Sequence, residues 1–222
     1  MRKSIIRSVK LFTKRLASKV SGNQGFSMIE LITALAITLI VMGIAVATYS
    51  NALSIRAREG SRTDALNSSQ AALNIMSREI TNSGYGLILN GVKNNGIVVA
   101  DSNAQRLHIR ANLVNDDLTT DDPGEDITFY FDQQSQSVVR YDANTRLTSG
   151  IINRISFVEF RYYDYYGSTV SGPNSVPSEN TGRITIILTV NLPDVQGQPA
   201  NQVVEISSDV TMRNSRYMLG QY

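Results

Sequence analysis

An uninterrupted apolar run beside a basic terminus constrains this chain more than any other feature. From Phe26 to Ala47 the sequence is apolar over 22 residues apart from Ser27, Glu30, Thr33 and Thr38, and Leu31 to Ala47 carries no charge. As a helix the run measures roughly 33 Å, about the thickness of a bilayer core. Residues 1–25 hold seven Lys/Arg (Arg2, Lys3, Arg7, Lys10, Lys14, Arg15 and Lys19) and no acid. The rest of the chain has 14 Lys/Arg against 19 Asp/Glu, a net −5 hidden by the overall +2. Such asymmetry predicts a single-pass membrane segment with a cytoplasmic N-terminus and the bulk of the chain across the membrane. The acidic body is a poor match for nucleic-acid phosphates, so no nucleic acid is expected as a partner.

Composition excludes several classes of chemistry. With no cysteine there is no disulfide framework, zinc–thiolate site, iron–sulfur cluster or thiol nucleophile. A single histidine, His108, makes a histidine-rich metal site impossible and a Ser–His–Asp triad a poor expectation. No phosphate-cradling glycine loop and no nucleophile–base arrangement stands out. The chain reads as a non-enzyme without a cofactor.

Glu30 is out of place in an apolar run, because a carboxylate near the centre of a membrane helix costs about 2.5–3.5 kcal/mol. One account is an acid in the first helical turn, favoured by the helix dipole. The other combines it with Gly25-Phe26. A cut between those two would put a new ammonium on Phe26, four residues before Glu30, where each charge needs a partner.

The basic leader, Gly25, Phe26, a Glu at the fifth position after the cut and the apolar helix together resemble the processing signal of type IV prepilins and type II secretion pseudopilins. The stretch that carries the resemblance is Gly25-Phe26-Ser27-Met28-Ile29-Glu30-Leu31-Ile32-Thr33-Ala34-Leu35-Ala36. It implies that a prepilin peptidase cleaves after Gly25 and methylates the Phe26 amine. It implies further that Glu30 pairs with a neighbouring subunit's N-terminal amine and so sets register during assembly. The partners implied are that peptidase, other major and minor pilins or pseudopilins, an inner-membrane assembly platform and membrane lipid. The location implied is the bacterial inner membrane, then a pilus or pseudopilus, with the C-terminal domain periplasmic. Two rival readings attach to the same segment. Cleavage after Ala45-Val46-Ala47 by an ordinary signal peptidase would release a soluble protein, and an unprocessed chain would stay as a plain anchor.

Past the membrane the helical pattern continues. Leu66, Leu73 and Ile80 recur every seven residues with Met76, Ala65 and Ala72 alongside, while Arg62, Asp64, Arg78 and Glu79 fall off that stripe. Asn82-Ser83-Gly84 is a stop signal. One helix from about Phe26 to Asn82 would be roughly 85 Å long, weakest at Gly43 and Gly60. Beyond Gly84, short β-like runs alternate with turn residues: 96–101, 106–111, 127–132, 137–141, 151–163, 183–192 and 203–213. The Gly172–Gly182 stretch reads as a loop. Hairpin-length gaps predict an antiparallel sheet, hence an α+β fold in which the long helix lies on the sheet.

The expected organisation is therefore a leader (1–25), a membrane or filament-core half-helix (26–48), an amphipathic half-helix (49–83) and a β-rich globular part (84–222). Met76-Ser77-Arg78-Glu79-Ile80 with Gly84-Tyr85-Gly86, Val158 to Asp164, and Val210 to Asn214 are similar to PilW-like minor pilins. J-type minor pseudopilins share much of this layout. The length and the missing C-terminal disulfide suit a minor, priming or tip-located subunit rather than a major one.

Three polar features invite other chemistry. Asp116, Asp117, Asp121, Asp122, Glu125 and Asp126 place six carboxylates in eleven residues, enough for calcium by number but not by Asp-x-Asp-x-Asp-Gly spacing. Solvated turns are the plainer account of such a run. His108 alternates onto the face of Arg110, as a partly exposed strand residue would. Tyr162, Tyr163, Tyr165 and Tyr166 either divide between core and hairpin rim or form an adhesive surface. A membrane-tethered adhesin is thus the functional alternative from a different class.

Overall fold

A computed structural model describes residues 25–89, 92–114, 117, 119–195 and 199–220. The chain divides into two compact units, Met1–Ala52 and Leu53–Tyr222.

The first unit holds the start of helix α1 (Met28–Asn82). Every residue from 25 to 53 is exposed, including Leu31, Leu35, Ile40 and Ile44, each at about 60%. A helix apolar on every side cannot be satisfied by water. It is long and apolar enough to cross a membrane, with a mean hydropathy of 2.5 over its best 18 residues. Its hydroxyls are closed internally: Thr33 Oγ1 donates to Glu30 O at 3.0 Å, Thr38 Oγ1 to Ala34 O at 2.8 Å and Thr48 Oγ1 to Ile44 O at 3.0 Å. That leaves no side-chain donor of these residues unmet in an apolar medium.

The second unit is an α+β domain of pilin-like layout. In order along the chain it contains the rest of α1, β1 (Ile88–Leu89), β2 (Val92–Lys93), a 3₁₀ turn (Val99–Asp101), β3 (Arg106–Arg110), β4 (Asp126–Asp132), β5 (Ser137–Asp142) and β6 (Leu147–Ile152). There follow β7 (Ile155–Tyr166), β8 (Thr169–Asn174), β9 (Thr181–Asn191), β10 (Val203–Thr211) and the short helix α2 (Arg216–Leu219). The strands form not one sheet but two antiparallel four-stranded sheets, β3-β4-β5-β6 and β10-β9-β7-β8, beside the small β1-β2 ribbon.

Helix and sheets share one core. Ala72, Leu73, Met76 and Ile80 of α1 pack with Leu107, Ile127, Phe129, Val158, Phe160, Ile184, Ile186 and Leu188, all but inaccessible to water. On β7 the expected alternation holds, with Val158, Phe160 and Tyr162 buried between more exposed Phe157, Glu159, Arg161 and Tyr163. Leu66 does not join the core and is 40% exposed. A strict seven-residue repeat drifts about 20° per heptad around a straight helix, so the buried line passes through Ala65 and Ser69 instead. Ser69 is tolerated there because its hydroxyl donates to Ala65 O at 2.7 Å.

Three strand expectations are corrected. The run 151–163 is two strands, because Arg154 adopts a left-handed φ of 59° and the chain changes sheets there. Only Asn153 and Arg154 interrupt the apolar residues there, a gap short enough to read as an outward-facing step within one strand. The 96–101 segment is not a strand: Ile97 makes an isolated bridge to Ile109 and the backbone then turns through Val99–Asp101. The loop expected after Gly172 begins inside β8, which is exposed from Thr169 to Pro173 and so lacks an apolar alternation to reveal it.

The helix stop is as expected, α1 ending at Asn82. Gly84 (φ 80°) donates to Arg110 O at 2.9 Å, and Ser83 Oγ donates to Asn95 O at 2.8 Å. Asn95 Nδ2 in turn reaches Ser178 O and Thr181 O at 3.0 and 2.9 Å. These buried polar groups tie the helix end to β3 and to the segment before β9.

Candidate functional site

The residues preceding α1 form the candidate site. Gly25, Phe26 and Ser27 lie outside regular structure, and the helix begins at Met28. Ser27 Oγ accepts from Ile29 N at 3.3 Å while Glu30 Oε2 accepts from Ser27 N at 2.9 Å. This pair is a capping box in which Ser27 takes the second helical amide instead of the third, and it satisfies two amides at the helix start. Of the two accounts of Glu30, the first-turn position is therefore occupied and its carboxylate has a local partner. Ser27 belongs to this site as well, and the Ser27-x-x-Glu30 spacing is the sequence signal for it.

The Gly25–Phe26 peptide bond sits in exposed coil, with Phe26 88% accessible. Proteases act on extended, accessible backbone, and this bond precedes the first helical turn. A Cβ placed on Gly25 would meet nothing within 4 Å. The chain's own fold therefore makes no demand for glycine at that position.

The described members of the acidic run are engaged in local hydrogen bonds. Asp116 lies outside the described residues. Asp117 Oδ1 accepts from the Thr119 amide at 2.8 Å and hydroxyl at 2.9 Å, and Asp121 is hydrogen-bonded to the same hydroxyl. Glu125 turns inward to cap its own loop, accepting from Val114 N at 2.9 Å and Asp122 N at 3.2 Å. Asp126 lies on β4 and faces β3 instead. Among the described residues no three potential ligands converge on one point.

His108 is more engaged than a rim residue. Its Nδ1 is 3.0 Å from Asp101 Oδ2 and its Nε2 is 2.6 Å from Asp126 Oδ1. Arg106 and Arg110 close the chain on either side, at 3.0 Å from Asp101 and 2.8 Å from Asp126. The alternation of β3 places all three basic residues on one face, and Asp101 arrives from the 3₁₀ turn, which sequence spacing did not reveal. The network ties the turn and β4 to β3.

The tyrosines divide as a core-and-rim run does. Tyr162 is fully buried, its hydroxyl donating to Asn103 O at 2.8 Å, and burial pushes its pKa up. Tyr163 lies under the Arg183 guanidinium at 4.1 Å, Tyr165 stacks on Tyr217 at 4.6 Å, and Tyr166 is 54% exposed at the β7–β8 turn. A cleft of ≈ 240 Å³ beside the helix end is walled by Ile109, Leu113 and Ile127 with the Glu79–Arg140 pair. The Ser83 hydroxyl in its wall is already committed to Asn95.

Residues 20–46 match the prokaryotic N-terminal methylation motif. None of the curated proteins and none of the solved structures compared with the chain matches it. The motif spans both sides of the exposed Gly25–Phe26 bond, the capping box and most of the apolar helix. It supports a type IV pilin-like prepilin, and the exposed apolar helix fits a single-pass membrane anchor.

Proposed function

We propose that this chain is the precursor of a minor subunit of a type IV pilus. A prepilin peptidase cuts between Gly25 and Phe26 and methylates the Phe26 amine, and the processed subunit joins or primes a filament with other pilins. The observation that carries this reading is the methylation motif lying across an exposed coil bond directly before a capped, uniformly apolar helix.

Assembly then has two physical parts. The apolar half of α1 exchanges contact with lipid for contact with the same segment of neighbouring subunits. Glu30 exchanges its Ser27 amide for the Phe26 ammonium of a neighbour, so that a subunit seated out of register leaves a charge uncompensated in an apolar setting. The basic leader holds the N-terminus in the cytoplasm and the β-rich unit enters the periplasm, at the inner-membrane assembly platform. A minor pseudopilin of type II secretion would use the same processing and the same helix, and the two are told apart by which filament machinery retains the protein.

The intact mass and N-terminus of the protein from its native membrane test this reading. Removing 25 of 222 residues from a 24.4 kDa chain lowers the mass by about 2.7 kDa, and methylation restores about 14 Da. A methylated Phe26 terminus is expected. An intact leader, or a terminus at Thr48, would overturn it.

A further inference from the structure

The four outer edges of the two sheets are not alike. Beside β3, Ile97 bridges Ile109, Asn103 bridges Arg106, and Val98 N donates to His108 O at 2.9 Å. β6 meets β5 across a register shift and carries Gly150. β8 meets β7 across another and contains Pro173. Short, irregular, covered or proline-bearing strands are how proteins keep sheet edges from pairing with other chains.

β10 has none of these devices. It pairs with β9 without interruption from Val203 to Thr211, nine residues with no proline, glycine or bulge. Met212 N donates to Gly182 O and Leu192 N donates to Gln202 O, which puts the inward-facing amides on the even-numbered residues. The N–H and C=O groups of Val203, Glu205, Ser207, Asp209 and Thr211 therefore point away from β9. Each of these residues is exposed, and among the described residues no partner receives those backbone groups. This edge is a template for a further strand.

Charge decides what that strand is. On the solvent face the edge presents Glu205 and Asp209, four residues apart, and no base. Asp209 accepts from the Thr185 hydroxyl, and Glu205 stands near Arg161, whose guanidinium is already held by Glu159 at 2.9 Å. In the fully overlapped antiparallel register of two copies, each Glu205 would face the other copy's Asp209, acid against acid, which disfavours pairing of the chain with itself.

We propose that β10 is a strand-addition site for another polypeptide whose added strand carries Lys or Arg at two outward positions four residues apart, opposite Glu205 and Asp209. Backbone pairing supplies the affinity and the two cross-strand ion pairs supply the selection. The inward positions of the added strand extend the half-buried row of Val204, Ile206 and Ser208.

The test uses the full chain in detergent and a fluorescent peptide of the length of β10, with valine or threonine throughout and lysine at the two positions facing Glu205 and Asp209. A second peptide carries glutamate there. The lysine peptide should bind more tightly, by roughly three- to tenfold, and should slow amide exchange at Glu205, Ser207 and Asp209. Ser207→Pro removes an outward amide that β9 does not use, so it should abolish binding while the melting temperature is kept. The double charge reversal Glu205→Lys with Asp209→Lys should invert the preference between the two peptides. Failure of the lysine peptide to bind, equal binding of both peptides, binding indifferent to both variants, or self-association of the chain through β10 would each overturn the proposal. Cleavage and methylation play no part in this measurement, so its failure would leave the assembly reading as it stands.

Discussion

Arg140 Nε on β5 stands 2.9 Å from one carboxylate oxygen of Glu79 on α1 and 3.1 Å from the other. Both side chains are mostly shielded, at 23% and 18% exposure. The helix residue that falls off the apolar stripe is thus not solvated; it fastens the last turn of α1 to the sheet. Burial raises the pKa of Glu79 and outweighs Arg140, which lowers it.

The native Glu79 carboxyl consequently holds its proton to a higher pH than the unfolded one. Its contribution to stability is complete below the ordinary glutamate range and declines as pH rises through the native value. Glu79→Gln removes that titration. The stability of the parent relative to this variant, from urea midpoints measured between acid and neutral pH, should fall as pH rises above the ordinary glutamate range. A relative gain over that interval would mean that pairing with Arg140, not burial, dominates the site.

Gly25→Ala separates folding from processing. With open space around the added Cβ, the melting behaviour of the chain should match the parent to within about 0.5 kcal/mol. Cleavage in the native membrane should nonetheless be lost, read as retention of the full mass. Normal cleavage of the alanine variant would show that the peptidase has no need of glycine there.

Glu30→Leu tests the register role. Because the bond to be cut lies in coil ahead of α1, losing one member of the capping box should leave cleavage intact while incorporation into filaments fails. Filament yield and N-terminal mass are to be read on the same sample. Filaments at the parental level would remove Glu30 from the assembly mechanism.

Gly96 adopts φ 75°, and an added Cβ would lie 2.2 Å from Gly84 N and 2.4 Å from Arg110 O. Both neighbours are backbone atoms fixed by the hydrogen bonds that end the helix. Gly96→Ala should therefore destabilise the β-rich unit by about 3 kcal/mol or more, measured by denaturant unfolding. A loss below about 1 kcal/mol would mean that the 83–84 and 95–96 crossing can separate without cost.

Local chemistry made the first half of this protein legible in its sequence. The apolar run and the Asn82-Ser83-Gly84 stop are short-range signals that act through the residue's own backbone or its immediate solvent. The strand alternations of β7 and β9 belong with them, since one buried face writes a period of two whatever lies on the other side. Leu66 marks where such reading fails, because which residues of a stripe are covered depends on where the helix crosses the sheet. The change of sheet at Arg154 is likewise hidden, because the two polar residues Asn153 and Arg154 fit a solvent-facing step in one strand as well as a turn between two.

Side-chain contacts between different elements of the fold were decided by the tertiary structure alone. Asp101 and Asp126 meet His108, Glu79 meets Arg140 across 61 positions, and Asn95 reaches Ser178 and Thr181. It also set which strand ends each sheet, and so left the backbone edge of β10 open. A sequence specifies the donors, acceptors and charges, but their partners follow from chain topology, because an electrostatic or hydrogen-bonded contact acts over a few ångströms of space rather than over a fixed number of residues.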